Sequence, residues 1–306
     1  MPIQLNDIHK NYGKNVALRG LSLEVSDGEL FGVIGPDGAG KSTMFRIIAS
    51  LLLPDRGTCR VNGLDVVCDY REIRRIIGYM PGRFSLYLDL SVEENLSFYA
   101  GVFGTRVTEH YDLIREVYSQ IEPFRKRIAG RLSGGMKQKL ALSCALIHRP
   151  KILILDEPTT GVDAVSRVEF WEMLKKIRAE GITILVSTPY MEEAALCNRV
   201  LLLQKGKMLD TIDPSKPVKK SGHLYALRDR SGVYRYLRPV RNLPKCIHAW
   251  LFGNELHVTL SEKITRQQLI GGLKTGAGED LEWEALEPSI EDRFMELIQK
   301  REDEQI

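Results

Sequence analysis

The chain has 306 residues, 43% of them apolar and 27% charged, and carries a net formal charge of +3. That is ordinary globular composition, enough for one large domain and a smaller one. No basic arm or aromatic-interleaved basic stretch stands out, so nucleic acid is not expected as a partner. The five cysteines (Cys59, Cys68, Cys144, Cys197, Cys246) are widely spaced and odd in number. They suggest neither a metal-ligand cluster nor a disulfide framework, which fits a reducing cytosol. The opening MPIQLNDIHKNYG has neither the basic nor the apolar region of a signal peptide. With no apolar run of ~18 residues, the chain is expected not to span a membrane. Any membrane role then has to come through partners.

Residues 3–5 and 21–25 read as short strands, the second alternating with period two. Tyr12 falls in the loop between them, where it reads equally well as a half-exposed tyrosine. A turn at 26–29 leads into Phe31 to Thr43, FGVIGPDGAGKST. The apolar run of Phe31, Val33 and Ile34 predicts a buried strand, and residues 44–53 a helix. Between them stands Gly35-x-x-x-x-Gly40-Lys41-Ser42, the phosphate-binding loop pattern. Gly35, Gly38 and Gly40 let the backbone turn tightly, so that successive N–H groups point at one anion near the positive end of a helix. Lys41 is placed to reach terminal phosphates, and Ser42 to offer its hydroxyl to Mg²⁺. A chance glycine-rich turn is the alternative, and the flanking strand and helix argue against it.

Residues 54–57 form a turn, and 58–61 with Asn62-Gly63 a hairpin. Residues 76–80 read as a strand stopped by Pro81-Gly82. From 91 to 128 the pattern is helical: Ser91-Val92-Glu93-Glu94 is a capping box, with Leu96, Tyr99 and Val102 at helical spacing behind it. Ile114, Val117 and Ile121 continue as core-facing stripes. Leu132, Ser133, Gly134, Gly135 and Met136 then open a helix to about residue 148, a second place where N–H groups could meet phosphate. By itself Ser-Gly-Gly usually marks an N-cap. Residues 152–158, ILILDEP, are apolar up to two acids, as expected of a parallel strand covered on both faces. Asp156 and Glu157 lie at its carboxyl end, where open α/β sheets bind ligands; a satisfied helix cap is the alternative. A helix at 165–178, a buried strand at 181–188, a helix at 191–197 and a hairpin of 199–203 with 205–207 complete the first domain.

Residues 213–220 are a linker by composition, and Lys216, Lys219 and Lys220 read as its solvated basic part. Beyond it come a strand (223–228), a helix (232–241), two strands turning at Gly253-Asn254 (246–252, 255–260), a helix (265–274) and a strand (281–286). That order is ferredoxin-like. Residues 288–295 open a terminal helix. The expected division is 1–215 and 216–306, with a helical subdomain at about 84–148 inside the first. No chemistry declares itself in the second domain.

Three segments in this order and at this spacing, the phosphate loop, LSGGMKQKL and ILILDEP, resemble the nucleotide-binding subunit of an ABC transporter across residues 1 to about 213. The chain looks most like ATPases of ABC-2-type exporters, which often carry an extension ending like PSIEDRF. It also looks like the first ATPase half of two-ATPase multidrug efflux proteins. The resemblance implies an α/β P-loop NTPase of ABC type, a mixed sheet core plus helical subdomain, with a small α+β, ferredoxin-like appendage. It implies ATP and Mg²⁺ as ligands. Tyr12 would stack on adenine. Gly35, Pro36, Asp37, Gly38, Ala39, Gly40, Lys41, Ser42 and Thr43 would cradle the phosphates. Ser42 and Asp156 would hold Mg²⁺, and Glu157 would polarise the attacking water as general base. The family works as a head-to-tail dimer. Leu132 to Met136, through Ser133 and Gly135, would therefore meet the nucleotide of the opposite subunit, and Asp163 would lie in the dimer-crossing loop. The implied partners are membrane-spanning permease subunits and a second ATPase subunit, identical or different. The implied location is peripheral, on the cytoplasmic face of the inner membrane.

Two positions depart from the family pattern. Where members usually have glutamine after Tyr-Met-Pro, this chain has Gly82. Where they usually have histidine after Ser-Thr, it has Pro189, which can donate from neither side chain nor backbone. Each lost contact is aimed at the transferring phosphate, where one positioned group is worth ~3–4 kcal/mol in rate. Intact binding with slow or partner-dependent turnover is the expectation, and the intact Glu157 keeps a slow homodimer open. The alternatives are a non-hydrolytic, nucleotide-sensing structural subunit paired with a complete ATPase, and a soluble ABC ATPase of DNA repair or translation. Against the soluble reading stand the short span from 84 to 131 and the single ATPase domain.

Overall fold

Alternating apolar residues build the first hairpin of the computed structural model, which describes residues 1–218, 221–273 and 281–303. In it β1 (Ile3–Tyr12) pairs antiparallel with β2 (Asn15–Val25). Both strands run longer than the sequence suggests. Three register shifts absorb the polar middle of β1, while Ile8, Leu18 and Leu21 keep one face buried. Tyr12 is therefore the last residue of a strand rather than part of a loop, and is 45% exposed.

Chain order continues with β3 (Leu30–Ile34), α1 (Lys41–Ile48), β4 (Arg56–Val61) and β5 (Leu64–Asp65). Asn62 and Gly63 join β4 to β5 with positive φ at both (52° and 81°), as a type I′ turn requires. Next come α2 (Tyr70–Ile76) and β6 (Ile77–Met80). The sequence reading misses α2, because Ile73 is its single buried residue and no apolar stripe marks it. Between β6 and β7 (Ile152–Asp156) lie α3 (Val92–Val102), α4 (Tyr111–Tyr118) and α5 (Gly134–Leu146). The capping box of α3 is formed: the Glu94 N–H donates to Ser91 Oγ, and the Ser91 N–H to Glu94 Oε2. Then follow α6 (Ala164–Ala179), β8 (Thr183–Ser187), α7 (Met191–Ala194), β9 (Arg199–Gln204) and β10 (Lys207–Ile212).

Two sheets result, and these residues form one compact unit, Met1–Ser215. One sheet is antiparallel, in the order β2-β1-β4-β5. The other runs β10-β9-β3-β8-β7-β6 and is parallel except for the β10 edge. Every residue of β3, β7 and β8 is buried, as central strands covered on both faces must be. One apolar cluster joins Ile3, Leu5 and Val25 to Phe31, Ile47 and Ile154. Each such side chain contributes roughly 1.5–3 kcal/mol by leaving water. Glu29 holds the start of β3 to β9 through Arg199, with Nε to Oε1 at 2.6 Å and Nη2 to Oε2 at 2.8 Å.

The second unit, Lys216–Ile306, is built on an antiparallel sheet in the order β12-β13-β11-β14. Its elements are β11 (His223–Arg228), α8 (Leu237–Arg241), β12 (Cys246–Phe252), β13 (Glu255–Leu260), α9 (Arg266–Leu273), β14 (Glu282–Leu286) and α10 (Ile290–Asp303). The first helix starts later than the expected residue 232. Gly232 sits at φ 100° and a 3₁₀ turn covers Tyr234–Tyr236, so Pro239 falls within the first turn, where its missing N–H is tolerated. Lys219 and Lys220 of the expected linker, and Lys274 of the expected 265–274 helix, lie outside the described residues. Leu227, Tyr236, Val240, Leu256 and Leu269 form the core of this unit. Ser289 caps α10: its N–H donates to Asp292 Oδ2, while the Asp292 N–H donates to Ser289 Oγ. The architecture is the expected mixed α/β P-loop core with helical elements and a ferredoxin-like appendage.

Because β7 is packed on both faces, Ile154→Ala is expected to lower stability by about 2–5 kcal/mol, and Ile154→Val by about 0.5–1.5 kcal/mol. Urea midpoints of the two variants check this ordering.

Candidate functional site

The parallel register brings three strand ends level. Ser187, the last residue of β8, is opposite Asp156 at the end of β7 and opposite Val33 one residue before the end of β3. Past Ile34 the chain turns through Gly35 to Gly40 before α1 begins. Three close approaches set the turn's shape. A Cβ on Gly35 would lie 2.2 Å from the Leu203 carbonyl oxygen, and one on Gly40 or Gly206 at 2.6 or 2.5 Å from that of Ala17. Gly40 also sits at φ 110°, so neither space nor backbone allows a side chain there. Pro36, Asp37 and Gly38 are exposed at the tip of the turn, whereas Gly35 and Ala39 are buried. At the N-terminus of α1, Gly40 has no side chain to cap the first-turn N–H groups. The helix's first N–H donors, Lys41, Ser42 and Thr43 among them, thus face the turn without intrahelical acceptors.

Lys41 folds back into this turn and is 5% exposed. Its Nζ donates to the carbonyls of Gly35 (2.8 Å) and Pro36 (3.3 Å), and stands 3.1 Å from Glu157 Oε1. Glu157 follows β7 with φ 50°, a left-handed conformation uncommon for a residue with a Cβ. Its N–H donates to Ser187 Oγ at 2.9 Å, and Ser187 Oγ donates to Asp156 Oδ1 at 2.7 Å. Gly82 lies beside Asp156: a Cβ built there would be 3.1 Å from the Asp156 carbonyl oxygen. Behind the acids, Thr159 and Thr188 both donate to Glu193 Oε2, at 2.9 and 2.5 Å. Pro189 follows Thr188 and is exposed.

The structure therefore gathers Lys41, Asp156, Glu157, Ser187 and Gly82 at one edge of the parallel sheet. Ser133 and Asp163 are elsewhere: no hydrogen bond or ion pair joins them to Lys41 or Glu157 among the described residues. Ser133 is the N-cap of α5 and accepts from the Met136 N–H at 3.3 Å. Asp163 is the N-cap of α6 and accepts from the Ser166 N–H at 2.9 Å. That N–H holds its carboxyl below the usual carboxylate range. The two caps neighbour one another. A Cβ on Gly134 would be 3.4 Å from the Gly161 carbonyl oxygen, and one on Gly135 2.7 Å from Ser166 Oγ. Leu132 and Gly135 are buried, Met136 is half-buried, and Ser133 and Gly134 are exposed. Sequence reasoning overlooks Ser187, Thr188 and Glu193. The available signal was a Ser-Thr pair ending the otherwise apolar run Ile184, Leu185, Val186.

A family model for ABC transporters matches residues 18–160. The Nod factor export ATP-binding protein I of Burkholderia lata is 37% identical over 211 residues, 68% of this chain and 69% of that protein. The chain belongs to the ABC transporter ATP-binding family. The probable multidrug ABC transporter ATP-binding protein YbhF of Escherichia coli K12 is 35% identical over 303 residues. That alignment takes in 97% of this chain but 52% of YbhF, so the chain spans about half the length of that relative. Among solved structures, the dimeric ATP-binding cassette MJ0796 bound to ADP and Pi superposes with a TM-score of 0.63. It is 26% identical and covers 69% of this chain and 98% of the cassette. Another, described as the ATP binding subunit of an ABC transporter, superposes with a TM-score of 0.64 at 28% identity, covering 70% of this chain and 90% of its own. No helix among the described residues is long and apolar enough to cross a membrane.

Since Ser133 caps α5 by a side-chain bond, Ser133→Ala is expected to cost about 1 kcal/mol of stability, and Ser133→Gly only a few tenths of that. Thermal unfolding of the two variants gives the order.

Proposed function

We propose that this chain is the ATP-binding subunit of an export complex of the ABC-2 type, binding Mg-ATP and passing the energy of binding and hydrolysis to separate membrane-spanning subunits. The observation that carries this reading is the meeting of Lys41 Nζ and Glu157 Oε1 at 3.1 Å, at the mouth of a glycine turn that admits no side chain at Gly35 or Gly40. The residues present fit a nucleotide. The uncapped N-terminus of α1 and the Lys41 ammonium supply donors for phosphate oxygens. Ser42 and Asp156 supply the hard oxygen donors that Mg²⁺ prefers, and the bound ion would neutralise charge on the phosphates. Tyr12, exposed at the end of β1, is the residue we assign to the adenine face.

On this reading Lys41 exchanges its contacts with the Gly35 and Pro36 carbonyls for the terminal phosphates. Glu157, relieved of Lys41, accepts a proton from the attacking water as general base. Ser133 and Gly135 complete the site of the opposite subunit, and Asp163 lies where the two subunits cross. The name of the Nod factor export proteins supports export, that of YbhF supports a transporter, and the dimeric cassette supports a two-subunit site. The location is the cytoplasmic face of the membrane that holds the permease subunits.

The chain's own turnover is slow, because Gly82 and Pro189 offer the transferring phosphate no side-chain donor. A second, complete ATPase subunit is accordingly the favoured partner, and this chain's Leu132 to Met136 segment finishes that partner's site. Gly82 beside Asp156 is the observation favouring this asymmetry. A side chain can enter there if the Asp156 carbonyl moves by a few tenths of an ångström.

Steady-state Mg-ATP hydrolysis with parallel nucleotide binding tests the proposal. The wild-type chain is expected to bind ATP and turn it over slowly, and Glu157→Gln to bind but not hydrolyse. The double variant Gly82→Gln with Pro189→His is expected to raise kcat at least about tenfold, a fraction of what two positioned groups can supply. Absence of nucleotide binding by the wild-type chain would overturn the reading. Binding with no turnover in any of the three would leave the structural-subunit alternative in its place.

A further inference from the structure

We propose that Ser187 is the positioning residue that sets both acids of the site, fixing Asp156 for the metal and Glu157 for the water. This inference rests on the proposed nucleotide reading. Ser187 is fully buried at the carboxyl end of β8. A serine hydroxyl has one proton to give and lone pairs to accept with. Here the proton goes to Asp156 Oδ1 at 2.7 Å, and a lone pair takes the Glu157 N–H at 2.9 Å. One oxygen therefore clamps a side chain and a backbone group of consecutive residues.

Each bond has a separate consequence. The bond to Asp156 occupies Oδ1 and holds the carboxylate in one rotation. Its second oxygen, Oδ2, takes no hydrogen bond from the described residues and is the one left for a cation. The bond from the Glu157 N–H helps hold that residue at φ 50°, a conformation that costs roughly 1–3 kcal/mol for a non-glycine residue and persists only where the surroundings impose it. That same backbone turn is what carries the Glu157 carboxylate to 3.1 Å from Lys41 Nζ. An alanine at 187 would free Oδ1 and leave the Glu157 N–H without its acceptor, while the strand itself stays paired.

The fold around the clamp has its own ties. The β7–β8 ladder runs from Ile152 opposite Thr183 to Asp156 opposite Ser187. Thr159 and Thr188 share Glu193 immediately behind the acids. Loss of the Ser187 hydroxyl is thus expected to loosen the acids and not to unfold the sheet. A supporting hydrogen bond of this kind, one step removed from a metal, typically changes metal affinity by about 10- to 100-fold.

The test is electron paramagnetic resonance of Mn²⁺, standing in for Mg²⁺, titrated into the full chain with a non-hydrolysable ATP analogue. Affinity for the analogue without metal and the melting curve are measured beside it. Ser187→Ala is expected to weaken nucleotide-dependent Mn²⁺ binding by at least about tenfold, with metal-free analogue affinity kept within about twofold. Ser187→Thr, which keeps the hydroxyl, is expected to restore it. Ser187→Cys, with a weak S–H donor of similar shape, is expected between the two and decides the matter should the alanine variant not fold. An alanine or cysteine variant with wild-type Mn²⁺ affinity overturns the positioning role. So does equal weakening in the threonine variant, which would reduce Ser187 to packing. Wild-type protein that takes up no Mn²⁺ with the analogue overturns the nucleotide reading and this inference with it.

Discussion

A parallel sheet forces its connections back across its faces, so the carboxyl ends of neighbouring strands emerge on one edge. In this chain that constraint determines where everything chemical can be. The register Val33–Ser187 and Asp156–Ser187 puts the glycine turn, the two acids and the Ser-Thr pair at the same level. The total burial of β3, β7 and β8 then makes that edge rigid. Shifting β7 by one residue against β8 would move Asp156 away from Ser187, and with it the Glu157 turn. Packing of Ile154, Leu155, Leu185 and Val186 in the core is what prevents that slip.

The glycine turn is shaped from outside as much as from within. Gly35 is pressed by the Leu203 carbonyl, and Gly40 and Gly206 by that of Ala17. Backbone bonds close the same contact: the Gly206 N–H donates to Ala39 O, and the Arg19 N–H to Gly206 O. The β1–β2 hairpin and the β9–β10 hairpin thus form the walls of the turn. Within it, Lys41 is nearly buried, an expensive place for an ammonium unless its protons find acceptors. The Gly35 and Pro36 carbonyls and Glu157 provide them. A buried pair like this is weak evidence for stability. Its value is that it keeps both side chains close to the position where phosphate is proposed to bind.

Much of this could be read before any coordinates. The run Ile152 to Leu155, apolar at every position, announced a parallel strand, and the period-two alternation of residues 21–25 announced a strand buried on one face, because each reflects how many faces are covered. The Asn62-Gly63 hairpin and the Ser91 capping box were legible for the same reason: local chemistry dictates them. What escaped reading depended on tertiary context. The polar half of β1 gains its pairing from β2 and β4, not from its own pattern. The helix α2 buries only Ile73, and Gly232 with Pro239 delays α8. At the site, the glycine turn and the acids stood out as motifs. Ser187, Thr188 and Glu193 did not, since a hydroxyl bridging residues 30 positions away has no periodicity to betray it.

The two departures, Gly82 and Pro189, fall on opposite sides of the acids, and neither disturbs how the acids are held. Gly82 adjoins the Asp156 carbonyl without supporting the Asp156 carboxylate. Pro189 follows Thr188, whose hydroxyl still reaches Glu193 and accepts from the Tyr190 N–H at 3.1 Å. The scaffold that positions Asp156, Glu157 and Lys41 is therefore complete, while side chains that could reach past it toward a transferred phosphate are missing at both positions. Transition-state contacts act on rate and ground-state contacts on binding. A site that lacks two contacts of the first kind, at Gly82 and Pro189, while keeping the second is one that, on the proposed reading, captures nucleotide and turns it over slowly. On that same proposed reading, such a site in a two-subunit assembly would keep the shared interface closed long enough for a partner's complete site to do the faster chemistry.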